Sequence, residues 1–226
     1  MALETSGPIW RRWRGTLGAF AVDVTNGHSA GVSNASSPRG PYLLDAAAQG
    51  AAVRVYFMSA GIPQSQIGRI NTGYVVQRAG PVGVTTPSKT VKLMTTLTRV
   101  VNGITVVDSQ ASAVMTTNGA TDWESVFWPP LDGDMVASAM AFAQRLRDPA
   151  MHAAFLAQLP GPVVHETGVV IRHSDGSVHA TPVAFASFDA TVDSFKGAID
   201  RHFDVNGVEF KLPQEQPTGP HYPRAH

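Results

Sequence analysis

Gly27-His28-Ser29-Ala30-Gly31 spells G-x-S-x-G, the pattern that sets a serine nucleophile on a sharp strand-to-helix turn. An apolar run, Leu17 to Val24, precedes it, as that chemistry requires. The residues after the serine fit less well. Ser33-Asn34-Ala35-Ser36-Ser37-Pro38 is a poor helix start, so no helix N-terminus is in place to help build an oxyanion hole. Too few residues precede Ser29 for the parallel strands that such a fold needs. A Gly/Ser-rich surface loop is the expectation here, and a small serine esterase using Ser29 is the alternative.

His165, His173 and His179 share one expected hairpin, with Glu166 beside the first. Strand period places His165 and His173 on one face. Such a set is suited to a histidine-based metal site. It lacks a compact H-x-H or H-E-x-x-H spacing, so solvent-facing strand histidines are the expectation. Asp122, Glu124, Asp132 and Asp134 gather near Trp123 and Trp128. Paired carboxylates beside aromatics suit sugar or cation binding. Hairpin exteriors and helix capping account for them more simply, since Asp132 and Asp134 stand where a helix begins. Arg11, Arg12 and Arg14 interleave with Trp10 and Trp13; an N-terminal strand with alternating faces is expected, and a phosphate or headgroup contact is the alternative. Asn34-Ala35-Ser36 is a glycosylation sequon, relevant only in a eukaryotic secretory pathway.

Composition removes several functions. Lys plus Arg and Asp plus Glu are both 17, so the net charge is zero and no nucleic-acid field is expected. Cysteine is absent, which excludes disulfides, thiol nucleophiles and zinc-thiolate sites. No P-loop, dinucleotide fingerprint, kinase signature or EF-hand loop occurs, and no cofactor is expected. No apolar run reaches the roughly 18 residues of a membrane helix, so no membrane span is expected. A secretory signal is not seen at the start. Charged residues make up only 15%, while Thr, Ser, Ala, Gly and Pro are abundant, a balance that suits β-rich exported proteins. The compartment expected is periplasmic or secreted.

The elements that must carry these side chains are written mainly in turns. Asn102-Gly103, Asn118-Gly119, Asp175-Gly176 and Asn206-Gly207 each sit between β-type runs. Asx-Gly suits the positive φ angles of a two-residue type I′ hairpin. The first two pairs predict a meander: Val91–Val101, Ile104–Ser109, Ala111–Thr117, and a run ending at Phe127 and Trp128. The third joins Val163–His173 to Ser177–Phe185, and the fourth joins His202–Val205 to Val208–Leu212. Helices are predicted over Pro41–Ala60, with Leu43, Leu44, Ala47, Val55 and Met58 as the buried stripe, and over Asp134–Leu146. A third starts with Asp148 as N-cap and Pro149 at the first helical position, running to about Leu159. Thr191–His202 is a fourth candidate, with Val192, Phe195 and Ile199 on one face. Pro160-Gly161-Pro162 is the one credible boundary. It divides a region 1–159, with meander and three helices, from a hairpin-helix-hairpin region 160–212 that is either separate or completes the same sheet. An extended Pro-rich tail occupies 213–226.

One stretch resembles a known family. Arg99-Val-Val-Asn-Gly-Ile-Thr-Val-Val-Asp-Ser109 is similar to the strand-turn-strand of PepSY and fungalysin/thermolysin-propeptide modules. The strand Ala111–Thr117 and the turn Asn118-Gly119 come next, then Trp128-Pro129 and an Ala-rich helix, while an upstream Ala-rich helix ends at Gly61-Ile62-Pro63. The similarity spans roughly 41–147. It implies an α+β fold, cystatin-like in shape, with a helix on a curved antiparallel sheet. It further implies a non-catalytic role in peptidase inhibition, chaperoning or protein binding. No peptidase domain or metalloprotease motif accompanies it, so a stand-alone binding protein with a protein partner is expected. Trp10, Trp13, Trp123 and Trp128 would be its contact anchors.

Overall fold

The computed structural model describes residues 2–6, 10–15, 18–33, 40–77, 89–161, 167–173, 179–192 and 195–209, with side chains described within 19–32, 40–76, 89–161, 167–173, 179–189 and 200–209. In chain order these form β1 (Ala2–Ser6), β2 (Trp10–Gly15), β3 (Gly18–Asp23), β4 (Ser29–Ser33), α1 (Ala46–Ser59), β5 (Ile67–Gln77), β6 (Lys89–Val101), β7 (Ile104–Met115) and β8 (Thr121–Phe127). After these come α2 (Gly133–Arg147), α3 (Pro149–Leu156), β9 (Thr167–His173), β10 (Ala180–Val192) and β11 (Phe195–Phe203). The fold is α+β, with one curled, mainly antiparallel sheet.

The turns explain the antiparallel order. Asn102 and Gly103 hold φ +50° and +81°, the two left-handed positions of a type I′ turn, and set Val101 opposite Ile104. Asn118-Gly119 and Asn206-Gly207 turn differently. In each, only the glycine is left-handed, at φ +80° and +76°, and a three-residue loop closes the hairpin. Thr116 N–H donates to Ala120 O in one, and Asp204 N–H donates to Val208 O in the other. A further Asn-Gly pair, Asn26-Gly27, links β3 to β4, with Gly27 at φ +74°. The glycine that opens the G-x-S-x-G pattern is thus a hairpin glycine. Asp175-Gly176 lies outside the described residues. The strands it joins, β9 and β10, do pair antiparallel, with His173 opposite Ala180.

β7 is the axis of the sheet, and the sheet forks along it. One flank of β7 holds β6, which in turn holds β5. On that flank the register jumps from Thr98↔Gln110 to Arg99↔Val106, so Val107, Asp108 and Ser109 have no partner on β6. The other flank changes strands at the same place. Gln110–Met115 pair antiparallel with β8, which leads on to β4, β3, β2 and β1. Thr105 and Val106 pair with Val170 and Ile171 of β9, which leads on to β10 and β11. That β7–β9 contact is the one parallel pair among the described residues. Through it the strands after Pro160 join the sheet of the first region. The bulge is the physical cause: extra residues bend and twist one strand, so its two halves present their edges to different neighbours.

All three helices lie against the sheet. α1 buries Val53 and Phe57 against Leu97, Ala111, Ala113 and Met115. α2 and α3 bury Phe142 and Phe155 against Ala184, Ala186, Phe188 and Phe203. Ala139 of α2 meets Ile104, Val106 and Ile171. Each large apolar side chain hidden this way contributes about 1.5–3 kcal/mol. The helix starts obey capping rules. Asp45, Asp132 and Asp148 accept from Ala48, Asp134 and Ala150 N–H groups, and Pro149 stands at the first position of α3.

Three expectations change. The first helix is shorter than Pro41–Ala60, because Tyr42 bridges Thr116 and Leu43 N–H donates to Met115 O, extending the sheet instead. Its buried face is Gln49, Gly50, Val53 and Phe57, while Leu44 and Val55 are exposed. Apolar residues surround this Ala-rich helix, so its sequence has no stripe to point with. The third helix stops at Leu156 rather than Leu159. The fourth candidate, Thr191–His202, is no helix: Thr191 and Val192 end β10 and Phe195–Phe203 is β11, with Val192 opposite Phe195. Thr191, Val192, Gly197 and Ile199 favour helix weakly, and the open edge of β10 offers a full row of hydrogen-bond partners.

Candidate functional site

The fork gathers a group of polar side chains from β7, β9, β10 and β11. Asp108, freed from β6, turns to β9. Its carboxylate accepts from Arg172 Nε at 3.4 Å, Arg172 Nη2 at 3.3 Å and the His173 backbone N–H at 3.1 Å. Arg172 is only 8% exposed, while the Asp108 end of the pair keeps contact with water. Its Nη1 lies 3.0 Å from His202 Nδ1 on β11. The same Nη1 lies 3.4 Å from His202 Nε2, and since arginine can only donate, the imidazole is the acceptor. Burial lowers the pKa of His202, and the Arg172 charge lowers it further, against smaller opposing pulls from Asp200 and Asp108. Asp200 also accepts the Ser187 hydroxyl from β10.

A second chain of contacts runs from the fork to β4. His173 is 2% exposed, with Nε2 3.4 Å from Ser109 Oγ. Its ring meets Phe127 edge to face at 5.2 Å, and Phe127 meets His28 the same way at 6.0 Å. His28 Nε2 lies 2.9 Å from Ser125 Oγ. Burial lowers the His28 pKa, with Asp23 pulling it back. Ser109 and His173 have the atom types of a nucleophile and base. Ser109 is fully buried, however, and a nucleophile that no substrate can reach does no acyl chemistry. The seam is built to hold strands: it ties β7, β8, β9, β10 and β11 together at the point where the sheet divides.

The expected site residues fall in separate places. Ser29 opens β4, between Val22 of β3 and Val126 of β8, in an antiparallel strand rather than at the head of a helix. That is not the geometry of a nucleophile elbow. His165 and Glu166 lie outside the described residues. His173 is buried rather than solvent-facing, a correction with a clear cause: its ring packs against Phe127 and lies beside Ser109. His179 is exposed. Among the described residues no three His, Asp or Glu side chains come together as a metal site. Trp10 and Trp13 belong to β2, and their side chains lie outside the described set. Trp123 is half-buried on β8 between Val32 and Val114. Trp128 is half-buried too, donating from Nε1 to Gln66 Oε1 at 3.2 Å.

The acidic cluster is divided among local partners. Asp122 accepts from Tyr42 Oη at 3.0 Å and pairs with Lys92 at 3.8 Å. Burial and that carboxylate raise the Tyr42 pKa. Glu124 accepts from Tyr56 of α1. Asp132 caps α2 and Asp134 sits in its first turn, as expected. Sequence reasoning misses Asp108, Arg172 and His202. The alternation of Asp200 and His202 is a usable strand signal, masked by the helical expectation for that segment.

A half-open cavity of about 720 Å³ lies away from the fork, where α2 faces β9 and the Asn102-Gly103 turn. Its polar groups already engage one another. His152 Nε2 meets Thr167 Oγ1 at 3.0 Å, and Arg147 Nη1 donates to Gln144 Oε1 at 3.2 Å. No helix among the described residues is long and apolar enough to cross a membrane. Comparison of the chain with protein-family models, curated proteins and solved structures finds no match.

Proposed function

We propose that this chain is a non-catalytic, exported protein-binding module, inhibitory or chaperone-like, that takes an extended acidic segment of its partner along β5. The state of β5 carries the reading. Among the described residues its one strand neighbour is β6. Its exposed side chains include Tyr74 at 65% exposure and Val76 at 56%, while Ile70 lies against Gly50 of α1. A long, apolar, unpaired edge invites another strand. Strand addition supplies affinity through the backbone and selectivity through alternate side chains.

Charge selects the partner's sign. From Ala46 to Val107 the sequence has no Asp or Glu, yet it has Arg54, Arg69, Arg78, Lys89, Lys92 and Arg99. From Asp108 to Gln144 it has no Lys or Arg and carries Asp108, Asp122, Glu124, Asp132 and Asp134. Within the β5–β6 hairpin Lys92 pairs with Asp122 and Arg99 is buried, so the cations open to a partner there are Arg69 and Lys89. Complementary charge on the incoming strand speeds association and fixes its identity. α1 packs on β5, β6 and β7, a helix-on-sheet arrangement of the kind that a likeness to PepSY and thermolysin-propeptide modules implies.

Amide hydrogen exchange on the full chain tests this. The probe is an amidated strand-forming peptide of alternating Glu and Val, with a Lys-Val peptide as control. Slowed exchange within Ile67–Val76 is expected from the Glu peptide alone. Unchanged β5 amides, or equal protection by both peptides, would remove the reading.

A further inference from the structure

Arg99 is a buried charge with no counter-charge among the described residues. Its side chain is 4% exposed, on β6 opposite Ile67 and Val106. Nε donates to Gln66 Oε1 at 2.8 Å, Nη1 donates to the Pro129 carbonyl, and the guanidinium stacks over Trp128 at 5.3 Å. Every one of these partners is neutral. No carboxylate pairs with Arg99 among the described residues, and Nη2, which has no protein partner there, keeps its one contact with solvent. Burial alone brings its pKa down to about 10, with no acid to hold it up. Buried guanidinium groups are normally matched by an anion, because neutral acceptors replace lost water only in part.

We propose that this seam is a binding site for a single carboxylate, received by the free Nη2 edge of Arg99 beside the Trp128 ring. The site is framed on both sides. Ile67 and Trp128 pack with the α1 cluster, and Val101 and Leu131 pack with the α2 cluster. Gln66 Oε1, shared by Arg99 Nε and Trp128 Nε1, locks the two planes together before any ligand arrives. A pre-set fork of this kind matches a planar two-oxygen anion. A single cation between apolar walls suits a monoanion rather than a phosphate. The competing account is a structural clip, in which Arg99 merely fastens the β8–α2 connection to the Gln64–Gln66 turn. This proposal does not depend on strand addition at β5.

Thermal unfolding and tryptophan fluorescence in sodium acetate, against chloride at equal ionic strength, separate the two accounts. Acetate is expected to raise Tm saturably in the wild type and to shift the Trp128 signal. Arg99→Met is expected to weaken that response at least about tenfold. It is also expected to match the wild type in stability without acetate and fall below it at saturation. Gln66→Glu places a carboxylate at the acceptor that Arg99 and Trp128 already share, so it should raise Tm and abolish the acetate response. It decides the matter even if Arg99→Met does not fold. Wild type indifferent to acetate, Arg99→Met destabilised equally at every acetate concentration, or Gln66→Glu still responding would each overturn the proposal. An amidated Glu-containing peptide that binds more tightly than acetate would make the carboxylate a protein side chain; propionate binding as tightly as that peptide would make it a free small acid.

Discussion

Arg172 and His202 touch across an intervening strand: Nη1 of one is 3.0 Å from Nδ1 of the other, although β10 runs between the strands that carry them. The contact requires a neutral His202, because imidazolium would place a second positive charge against the guanidinium. It therefore couples the fork to pH.

The sign comes from the direction of the shift. His202 and His28 both have folded pKa values below the ordinary histidine value. The unfolded chain thus takes up protons first as pH falls. Their contribution to stability is fully present above about pH 6.5 and is lost on acidification through the folded pKa values. Urea midpoints between about pH 7.5 and pH 5.5 should fall in the wild type. His202→Gln keeps an acceptor for Arg172 but cannot titrate, so its fall should be shallower. Superimposable pH profiles for the two proteins would rule out a part for His202.

Asp108 is the fork's anchor. Asp108→Ala leaves Arg172, 8% exposed, without its carboxylate and removes the acceptor of the His173 N–H. The Asp108 side chain is 30% exposed, so solvent softens the loss. A destabilisation of about 2 kcal/mol is expected. Arg172→Met in the same background should restore part of it, since the stranded charge is then gone. Chemical denaturation of the two single variants and the double variant measures this, and simple additivity would mean that the pair is uncoupled.

Asn102 is the one non-glycine with positive φ among the described residues. Asn102→Ala should cost about 1 kcal/mol, as left-handed backbone disfavours a Cβ. Asn102→Gly should cost less. Asn118→Ala would act by another route, because the Asn118 side chain accepts from Thr116 Oγ1 and Ala120 N–H. Equal stability of Asn102→Ala and the wild type in thermal melts would contradict the type I′ assignment.

At β5, Tyr74→Glu and Val76→Glu should leave Tm nearly unchanged, because both side chains already face water. They should weaken binding of the Glu-Val peptide through lost apolar contact and like charge. A large drop in Tm would mean that these side chains support the fold instead.

Local chemistry was legible in the chain. Asn102-Gly103 set a type I′ turn because only those residue types tolerate its angles, and Asp132, Asp148 and Pro149 set helix starts because orphan N–H groups need acceptors. The α+β class and the antiparallel order came from such signals. The buried face of α1, the strand at Phe195–Phe203 and the fork did not. Each depends on a distant partner: Gln49 on carbonyls of Leu93 and Ala113, β11 on the open edge of β10, Asp108 on Arg172. Pairing across a sheet depends on edges that exist only after folding. So Arg99, an ordinary strand residue in sequence, becomes a buried cation held by Gln66, Pro129 and Trp128 only once the chain has folded around it.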